Sequence, residues 1–221
     1  MATSARDPRI ARAARLLRAP DESAFVIDDA ELLREAIEAG IEVEWSLRAE
    51  EMAPDALRAL AFAGQAPEVV AVCRRPDRPA GPVPPRSIVL ARVADAGNVG
   101  AIVRTAAAFG LHRVALTDGC ADPWSRKALR ASKGAAFRPG LVAEGAHLEG
   151  GLLAAAVPSG GVHPRDLPAE ASVVVGNEAE GLTKQERTAC DLAVTIPAPG
   201  FESLNVAAAA AILTYELARG A

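Results

Sequence analysis

The chain of 221 residues contains few aromatic residues, few cysteines and few histidines, and it has no long apolar run. Half of the residues are hydrophobic but only 4% are aromatic, so we expect a core of small aliphatic side chains. An apolar run such as Val206–Leu213 is far shorter than the roughly 20 residues that a bilayer requires. The sequence therefore predicts no membrane segment.

Cysteine and histidine usage predicts neither a disulfide framework nor a metal site. Cys73, Cys120 and Cys190 are far apart and form no CxxC pair, and the three histidines are scattered. Such usage is typical of a reducing compartment and favours a cytoplasmic location. Residues 1–20 have arginines throughout, without the apolar stretch of a secretory signal, so we expect no such signal.

Charge is unevenly distributed along this chain. The net charge of −4 argues mildly against nucleic-acid binding. However, residues 6–18 contain five arginines and one acid, and residues 104–138 contain seven basic residues and two acids. Local basic strips matter more to a phosphate backbone than the total charge, so they favour a nucleic-acid partner. A solvated helix face remains the alternative, above all for residues 6–18.

A proline-rich segment divides the chain. Residues 76–86 contain five prolines and one glycine and predict a linker between residues 1–75 and residues 87–221. On both sides, apolar runs alternate with helical patterns, which predicts an α/β fold with a mainly parallel sheet covered on both faces. Strands are expected at 23–27, 42–46, 68–73, 87–93, 113–117, 153–157, 172–175 and 192–196. Helices are expected at 6–17, 28–39, 54–63, 98–109, 124–131, 183–190 and 204–218.

Three of the predicted strand ends carry glycine and polar residues, where parallel sheets bind ligands. The first segment, Asp95–Gly110, leads from a glycine turn into a helix with Asn98 and Arg104. Its glycines allow close approach to a ligand, its helix N-terminus offers N–H groups to an anion, and Arg104 can grip a phosphate. It matches neither a P-loop nor GxGxxG. A tight turn with a surface arginine is the alternative.

The second segment, residues 173–183, follows a buried β-branched run with a glycine, an asparagine and two glutamates. Glu178 stands where a carboxylate can accept a hydrogen bond from a ribose hydroxyl or pair with Arg104. The alternative is a polar turn in which Thr183 caps the next helix and Glu186 completes a capping box.

The third segment, residues 196–205, contains two prolines and a glycine that predict a rigid loop. Ser203 and Asn205 then enter an alanine-rich helix. The alternative is that Ser203 serves only as the N-cap of a core helix.

In this order, the three segments resemble the motifs of the SpoU/TrmH family of RNA 2′-O-ribose methyltransferases. The stretches that carry the resemblance are NVGAIVRTAAAFG from Asn98, GNEAEGL from Gly176, and IP and SLNV from Ile196 and Ser203. Ala121–Phe137 is similar to the family's segment between the first and second motifs. The resemblance covers residues 87–216. Residues 23–40 resemble the family's RNA-binding extension, with Asp28 and Asp29 where a Glu–Gly pair is common.

The resemblance implies a SPOUT-type parallel sheet with a C-terminal trefoil knot, preceded by a small L30e-like α/β domain. It implies S-adenosylmethionine as cofactor, structured RNA as substrate with ribosomal RNA favoured over transfer RNA, and a homodimer with the site near the subunit interface. It assigns the catalytic group to Asn98, Arg104, Glu178, Ser203 and Asn205. It assigns cofactor binding to Val175, Gly176, Asn177, Ile196, Pro197, Ser203 and Leu204.

Two alternatives stay open on the residues alone. One is a catalytically silent RNA-binding relative, and the other is an α/β enzyme that uses a nucleotide and acts on a small molecule. Within the favoured hypothesis, Arg104 is expected to clamp phosphate and ribose and not to accept a proton, because a guanidinium stays protonated in proteins.

Overall fold

The computed structural model describes residues 2–18, 21–62, 64–77, 82–200 and 203–219. Part of the predicted linker 76–86 therefore lies outside the described residues, as do residues 201 and 202 of the third segment. Within the described ranges, no helix is long and apolar enough to cross a membrane.

The N-terminal part contains a three-stranded antiparallel sheet of order β1-β3-β2. The expectation of parallel strands is wrong here, because β1 and β2 both run opposite to the central, buried β3. Gly40 ends the second helix with a left-handed φ of +79°, as predicted. The elements are α1 Pro8–Arg18, β1 Ala24–Ile27, α2 Ala30–Glu38, β2 Val43–Arg48, α3 Pro54–Leu60 and β3 Val69–Arg74.

The C-terminal part contains a six-stranded sheet of order β6-β5-β4-β8-β7-β9, and every pair of neighbours is parallel. The parallel prediction is confirmed here. Strand β6 was not predicted, because it is three residues long within a glycine-rich stretch. The elements are β4 Ser87–Leu90, α4 Ala96–Ala108, β5 Arg113–Leu116, α5 Arg126–Ser132, β6 Val142–Glu144, β7 Leu153–Ala156, β8 Ser172–Val175, α6 Lys184–Thr188, β9 Leu192–Val194 and α7 Val206–Arg219.

The strands of the parallel sheet are buried on both faces. Ile88 and Leu90 of β4 join a core cluster with apolar residues of α4 and α7, such as Ile102 and Leu213. Val89 points to the other face and joins a separate, smaller cluster. This alternation follows from the period of two along a strand. The larger core fixes α4 and α7 against the sheet, and both helices begin at its carboxyl end.

Gly100 allows α4 and α5 to pack closely. A Cβ atom on Gly100 would lie 2.3 Å from the carbonyl oxygen of Ala128 and 2.7 Å from the Cβ of Ala131. The glycine of the first segment therefore serves helix packing. The expectation that it brings the backbone close to a ligand is not supported at this position.

The two sheets are joined by contacts between buried side chains. Phe25 of β1 lies 5.1 Å from the ring of Trp124 and 6.1 Å from that of Phe137. Arg75 forms ion pairs with Asp122 and Glu144. Because these residues are buried or nearly so, the N-terminal part is packed against the parallel sheet through a continuous core.

Candidate active site

A pocket of about 340 Å³ opens at the carboxyl ends of β7, β8 and β9. It is enclosed by the residues that follow these three strands and by the first half of α7. Its lining includes all the predicted cofactor-binding residues except Pro197, which does not line it: Val175, Gly176, Asn177, Ile196, Ser203 and Leu204. The volume falls within the range of about 300–1,000 Å³ that is usual for small-molecule sites.

The turn after β8 forms one wall of this pocket. The backbone N–H of Asn177 donates to the carbonyl oxygen of Gly181 at 3.2 Å, and the reverse bond measures 2.9 Å. The side-chain oxygen of Asn177 accepts from the N–H groups of Ala179 and Glu180. The turn is therefore closed by its own hydrogen bonds, and its backbone faces the cavity.

Gly176 makes this turn possible by close approach. A Cβ atom on Gly176 would lie 2.3 Å from the carbonyl carbon of Gly181 and 2.5 Å from the nitrogen of Leu182. Both atoms belong to the backbone, so they cannot rotate away. A side chain at position 176 therefore requires the turn to open.

We predict that Gly176→Ala weakens binding of the S-adenosylmethionine that the resemblance implies by at least about fivefold, since overpacking the wall of the pocket costs about 1–3 kcal/mol. Isothermal titration calorimetry measures the effect. Gly160→Ala is the control, because its φ of +81° strains the backbone while a Cβ atom there meets no atom within 4 Å, whereas Gly176 lacks a left-handed φ and its Cβ atom meets backbone. Equal affinities of the wild type and Gly176→Ala would contradict the prediction.

Asn98 and Glu178 are joined across two strand ends. The amide nitrogen of Asn98 donates to Glu178 Oε1 at 2.8 Å, and the same carboxylate accepts from the backbone N–H groups of Ala94 and Asp95. Glu178 therefore does not pair with Arg104, and that expectation is wrong. The carboxylate fixes the loop before α4 to the turn after β8.

The N-terminus of α4 is already capped by the protein itself. Asp95 accepts a hydrogen bond from the backbone N–H of Asn98 at 3.0 Å. Lys127 of α5 pairs with the other oxygen of the same carboxylate. The N–H of Asn98 is therefore not free for an anion, and Glu178 occupies the N–H groups of Ala94 and Asp95 just before the helix.

The hydrogen bonds to Glu178 stabilise its ionised form. Burial raises the pKa of its carboxyl group, but the hydrogen bonds from Asn98 and from the backbone at residues 94 and 95 outweigh that effect, and the pKa lies below its usual value. Glu178 is therefore ionised at neutral pH and is a weak proton acceptor. Its geometry suits it to orient Asn98.

Asn205 connects the third segment to the first. Its Oδ1 accepts from the backbone N–H groups of Ala207 and Ala208, and its Nδ2 donates to Asn98 Oδ1 at 3.4 Å. Asn205 therefore caps α7, and the alternative that Ser203 is the cap is wrong. Ser203 lines the pocket with Glu178. Asn98, Glu178 and Asn205 thus form one hydrogen-bonded group beside the pocket, and Glu178 lines it.

Arg104 stands apart from this group. It is exposed on α4, and within the described residues it has no hydrogen bond or ion pair. It follows Asn98 by six residues, which places it about 9 Å further along the helix axis and about a third of a turn around it. The structure therefore does not bring Arg104 into contact with the other four predicted catalytic residues.

Most basic residues of the 104–138 strip are engaged within the protein, which narrows the surface left for a phosphate backbone. Arg126 and Arg130 both form ion pairs with Asp28. Lys127 binds Asp95, and others donate to backbone oxygens of residues 107 and 140. Among the described residues, Arg104 and Lys133 are the two of the strip without such a partner.

Sequence reasoning missed two residues that shape the site. Asp95 was read only as the start of the first segment, although an acid three residues before Asn98 is a recognisable helix-cap signal. Arg92 follows the buried strand β4 and binds the turn after β8. Nothing in the sequence pattern signals its role, because its partners lie more than 80 residues away.

The helix after this turn begins with the predicted capping box. Thr183 Oγ1 accepts from the N–H of Glu186, and Glu186 accepts from the N–H of Thr183 at 2.7 Å. Glu186 also accepts from Arg92, and this hydrogen bond, opposed by burial, lowers the pKa of Glu186 to about 2.

We expect Glu186 to stabilise the fold above pH of about 4.3, the usual pKa of an unfolded glutamate. Because its folded pKa is depressed to about 2, this contribution is lost as the pH falls from about 4.3 towards 2. Urea unfolding of wild type and Glu186→Gln at pH 7, 4 and 2.5 measures it, since glutamine keeps the capping box. The difference in the free energy of unfolding between wild type and Glu186→Gln should shrink as the pH falls. The exposed control Glu170→Gln should unfold with the same free energy as the wild type at each pH. A difference between wild type and Glu186→Gln that does not change with pH would refute the predicted role of the Glu186 charge.

Known proteins are similar to this chain over most of its length. A model of the SpoU rRNA Methylase family matches residues 85–215. The chain is 32% identical over 191 residues to the 23S rRNA (guanosine(2553)-2′-O)-methyltransferase RlmP of Bacillus subtilis, with 80% of this chain and 75% of that protein covered. It is 33% identical over 189 residues to the 23S rRNA (uridine(2479)-2′-O)-methyltransferase of Streptomyces viridochromogenes, with 76% and 66% covered.

One similar solved structure contains a cofactor. The SpoU methyltransferase AviRb from Streptomyces viridochromogenes, in complex with AdoMet, superposes with a TM-score of 0.82 and 26% sequence identity. The superposition covers 97% of this chain and 98% of that one.

Proposed function

Because this chain belongs to the SpoU rRNA Methylase family, we propose that it transfers a methyl group from S-adenosylmethionine to the 2′-oxygen of a ribose in RNA, with ribosomal RNA as the favoured substrate. The observation that carries the proposal is the hydrogen-bonded group of Asn98, Glu178 and Asn205 beside the pocket, which Glu178 lines. The two similar curated enzymes act on a guanosine and a uridine of 23S rRNA, so they support the RNA class and leave the base open.

The pocket fits the proposed cofactor. Val175, Ile196 and Leu213 give it apolar surface for a flat ring, and the 176–181 turn presents backbone polar groups beside that surface. The close approach of Gly176 to Gly181 leaves no room for a side chain between them. When bound, S-adenosylmethionine supplies an activated methyl group on a sulfonium centre.

The residues of this chain then have to align the ribose and assist the loss of its 2′-OH proton. Glu178 holds the side chain of Asn98, and Asn205 contacts it from α7. We assign Asn98 and Ser203 to orientation of the ribose. Arg104 acts as a clamp on phosphate and ribose, since its exposed fork is free of partners among the described residues. The proton passes to a neighbouring group or to water.

A trefoil knot and a homodimer belong to the same proposal. The chain passes from the edge strand β9 back to the middle of the sheet, where α7 packs against α4 and β8, which supports a threaded C-terminus. Ile212 and Tyr215 of α7 are 40% and 49% exposed, and Tyr215 packs on the exposed Phe109 just after α4. This apolar face suits a second copy of the chain. In such a dimer the active site would lie near the subunit interface, where the exposed Arg104 would reach bound RNA.

We assign residues 1–75 to an L30e-like RNA-recognition domain, residues 76–86 to a linker and residues 87–221 to the methyltransferase domain. Separate sheets in the two parts support this division. A cytoplasmic location follows from a ribosomal RNA substrate and agrees with three free cysteines.

Methylation of purified RNA by the recombinant protein tests the proposal. Ribosomal and transfer RNA from a strain that lacks the gene are incubated with S-adenosylmethionine that carries a labelled methyl group. The expected product is one ribose in ribosomal RNA that resists alkaline cleavage, because a methylated 2′-oxygen cannot attack the adjacent phosphate. Transfer RNA as the only product would correct the substrate. Cofactor binding without any methylation would favour the silent RNA-binding alternative.

A further inference from the structure

All three nitrogens of the Arg92 guanidinium group donate hydrogen bonds to the turn after β8 or to Glu186, the capping-box residue that follows it. Its Nε donates to Glu186 Oε1 at 2.8 Å, and its Nη2 donates to Glu186 Oε2 at 3.0 Å and to the carbonyl oxygen of Gly181 at 3.1 Å. Its Nη1 donates to Glu180 Oε2 at 3.2 Å. The side chain thereby engages the C-terminal end of the turn that follows β8 and the capping box after it.

The backbone of Arg92 is engaged as well. Its carbonyl oxygen accepts from Asn177 Nδ2 at 2.9 Å, and its N–H donates to Thr117 Oγ1 at 3.3 Å. Its φ is +57°, in the left-handed region that favours glycine. A strained arginine persists only where the surrounding contacts over-determine it. Here they connect the ends of β4, β5 and β8.

The turn held by Arg92 is the pocket wall itself. Asn177, Glu180 and Gly181 line the cavity, whereas Arg92 is not among the lining residues. Arg92 therefore acts on any occupant of the pocket through this turn and does not touch it. Arg92 and Glu186 have side chains only 28% and 15% exposed, so water screens the pair incompletely.

We propose that Arg92 is a positioning residue that holds the 176–181 turn in its binding shape and so sets the affinity for S-adenosylmethionine, with no part in the methyl-transfer step. The inference rests on the proposed function. A wall held in place before binding requires no ordering when the cofactor enters, and preorganisation of this kind raises affinity.

Two substitutions separate the parts of this role. Arg92→Gly relieves the left-handed backbone and removes the guanidinium. Arg92→Lys keeps the charge and loses the fork. Arg86→Gly is the matched control, because Arg86 has a φ of +58° and lies at the opposite end of the same strand, away from the pocket.

Calorimetric titration with S-adenosylmethionine is the first measurement. We expect the Kd of Arg92→Gly to rise about tenfold, the scale of one or two lost hydrogen bonds to charged groups, with a smaller rise for Arg92→Lys and no change for Arg86→Gly. In the methylation assay, the KM for S-adenosylmethionine should rise while kcat at saturation stays unchanged. An unchanged Kd, or a lower kcat with an unchanged KM, would overturn the inference.

Hydrogen exchange of the protein without cofactor is the second measurement. The amides of Asn177 and Gly181 should exchange faster in Arg92→Gly than in Arg86→Gly or the wild type, because the bonds that close the turn lose their support. Unchanged exchange would also overturn the inference. If the wild type fails to bind S-adenosylmethionine, the proposed function fails, whereas hydrogen exchange still tests whether Arg92 holds the 176–181 turn. If Arg92→Gly does not fold, Arg92→Lys decides both measurements.

Discussion

Arg104→Lys is expected to lower kcat by about 100-fold, the scale found when one preorganised donor to a developing charge is removed. Lysine keeps the positive charge but loses the planar fork that contacts two oxygens at once. Arg104 is exposed and has no partner among the described residues, so its substitution leaves the fold intact. A loss of rate therefore reports on the reaction and not on stability.

Single-turnover methylation of RNA and calorimetric binding of S-adenosylmethionine measure this effect separately. The rate should fall while the Kd for S-adenosylmethionine stays at the wild-type value, because Arg104 does not line the pocket. Arg165→Lys, a change at another exposed arginine, should leave both quantities unchanged. Near-normal turnover of Arg104→Lys would mean that the fork geometry is irrelevant and would refute the clamp.

Asp28→Asn should lower the free energy of unfolding by about 3 kcal/mol, the cost of breaking a buried ion pair by removing one partner. Asp28 is 4% exposed, and its carboxylate forms ion pairs with Arg126 and Arg130, each at 3.0 Å. The side chain of Arg126 is 8% exposed, and burial lowers its pKa while the carboxylate of Asp28 opposes that shift. An amide at position 28 leaves a buried guanidinium without its counter-charge.

Urea unfolding followed by circular dichroism measures the loss. Asp29→Asn is the matched control, because Asp29 caps α2 through the N–H of Leu32 and asparagine is an equally good cap. We expect no change from this neighbouring substitution. A loss below about 1 kcal/mol for Asp28→Asn would show that the two arginines find other partners, and the contact between the two sheets would then not depend on Asp28.

Local patterns predicted the elements well where the signal lies within a few residues. The predicted strand 172–175 has the observed bounds of β8, and Thr183 with Glu186 forms the predicted capping box. The antiparallel direction of β1 and β2 was not predicted, because strand direction depends on pairing with a strand far along the chain.

The site was predicted as a set of residues but not as an arrangement. The sequence pattern names Asn98, Glu178 and Asn205, and the structure joins these three by hydrogen bonds. The pattern also suggests a pair of Glu178 with Arg104, which the structure does not form. Side-chain pairing depends on how two strand ends face each other, and a motif contains no such information.

The sequence by itself determined the alternation of strands and helices, the three polar strand ends and the family, because each depends on residue type and short-range spacing. Only the tertiary structure decided that Glu178 orients Asn98, that Asn205 caps α7, and that two arginines of the basic strip turn inward to Asp28. It also revealed Arg92, whose side-chain partners lie 88 to 94 residues along the chain. The pairings of Glu178 and of Arg92 exist because the parallel sheet brings distant strand ends to one edge.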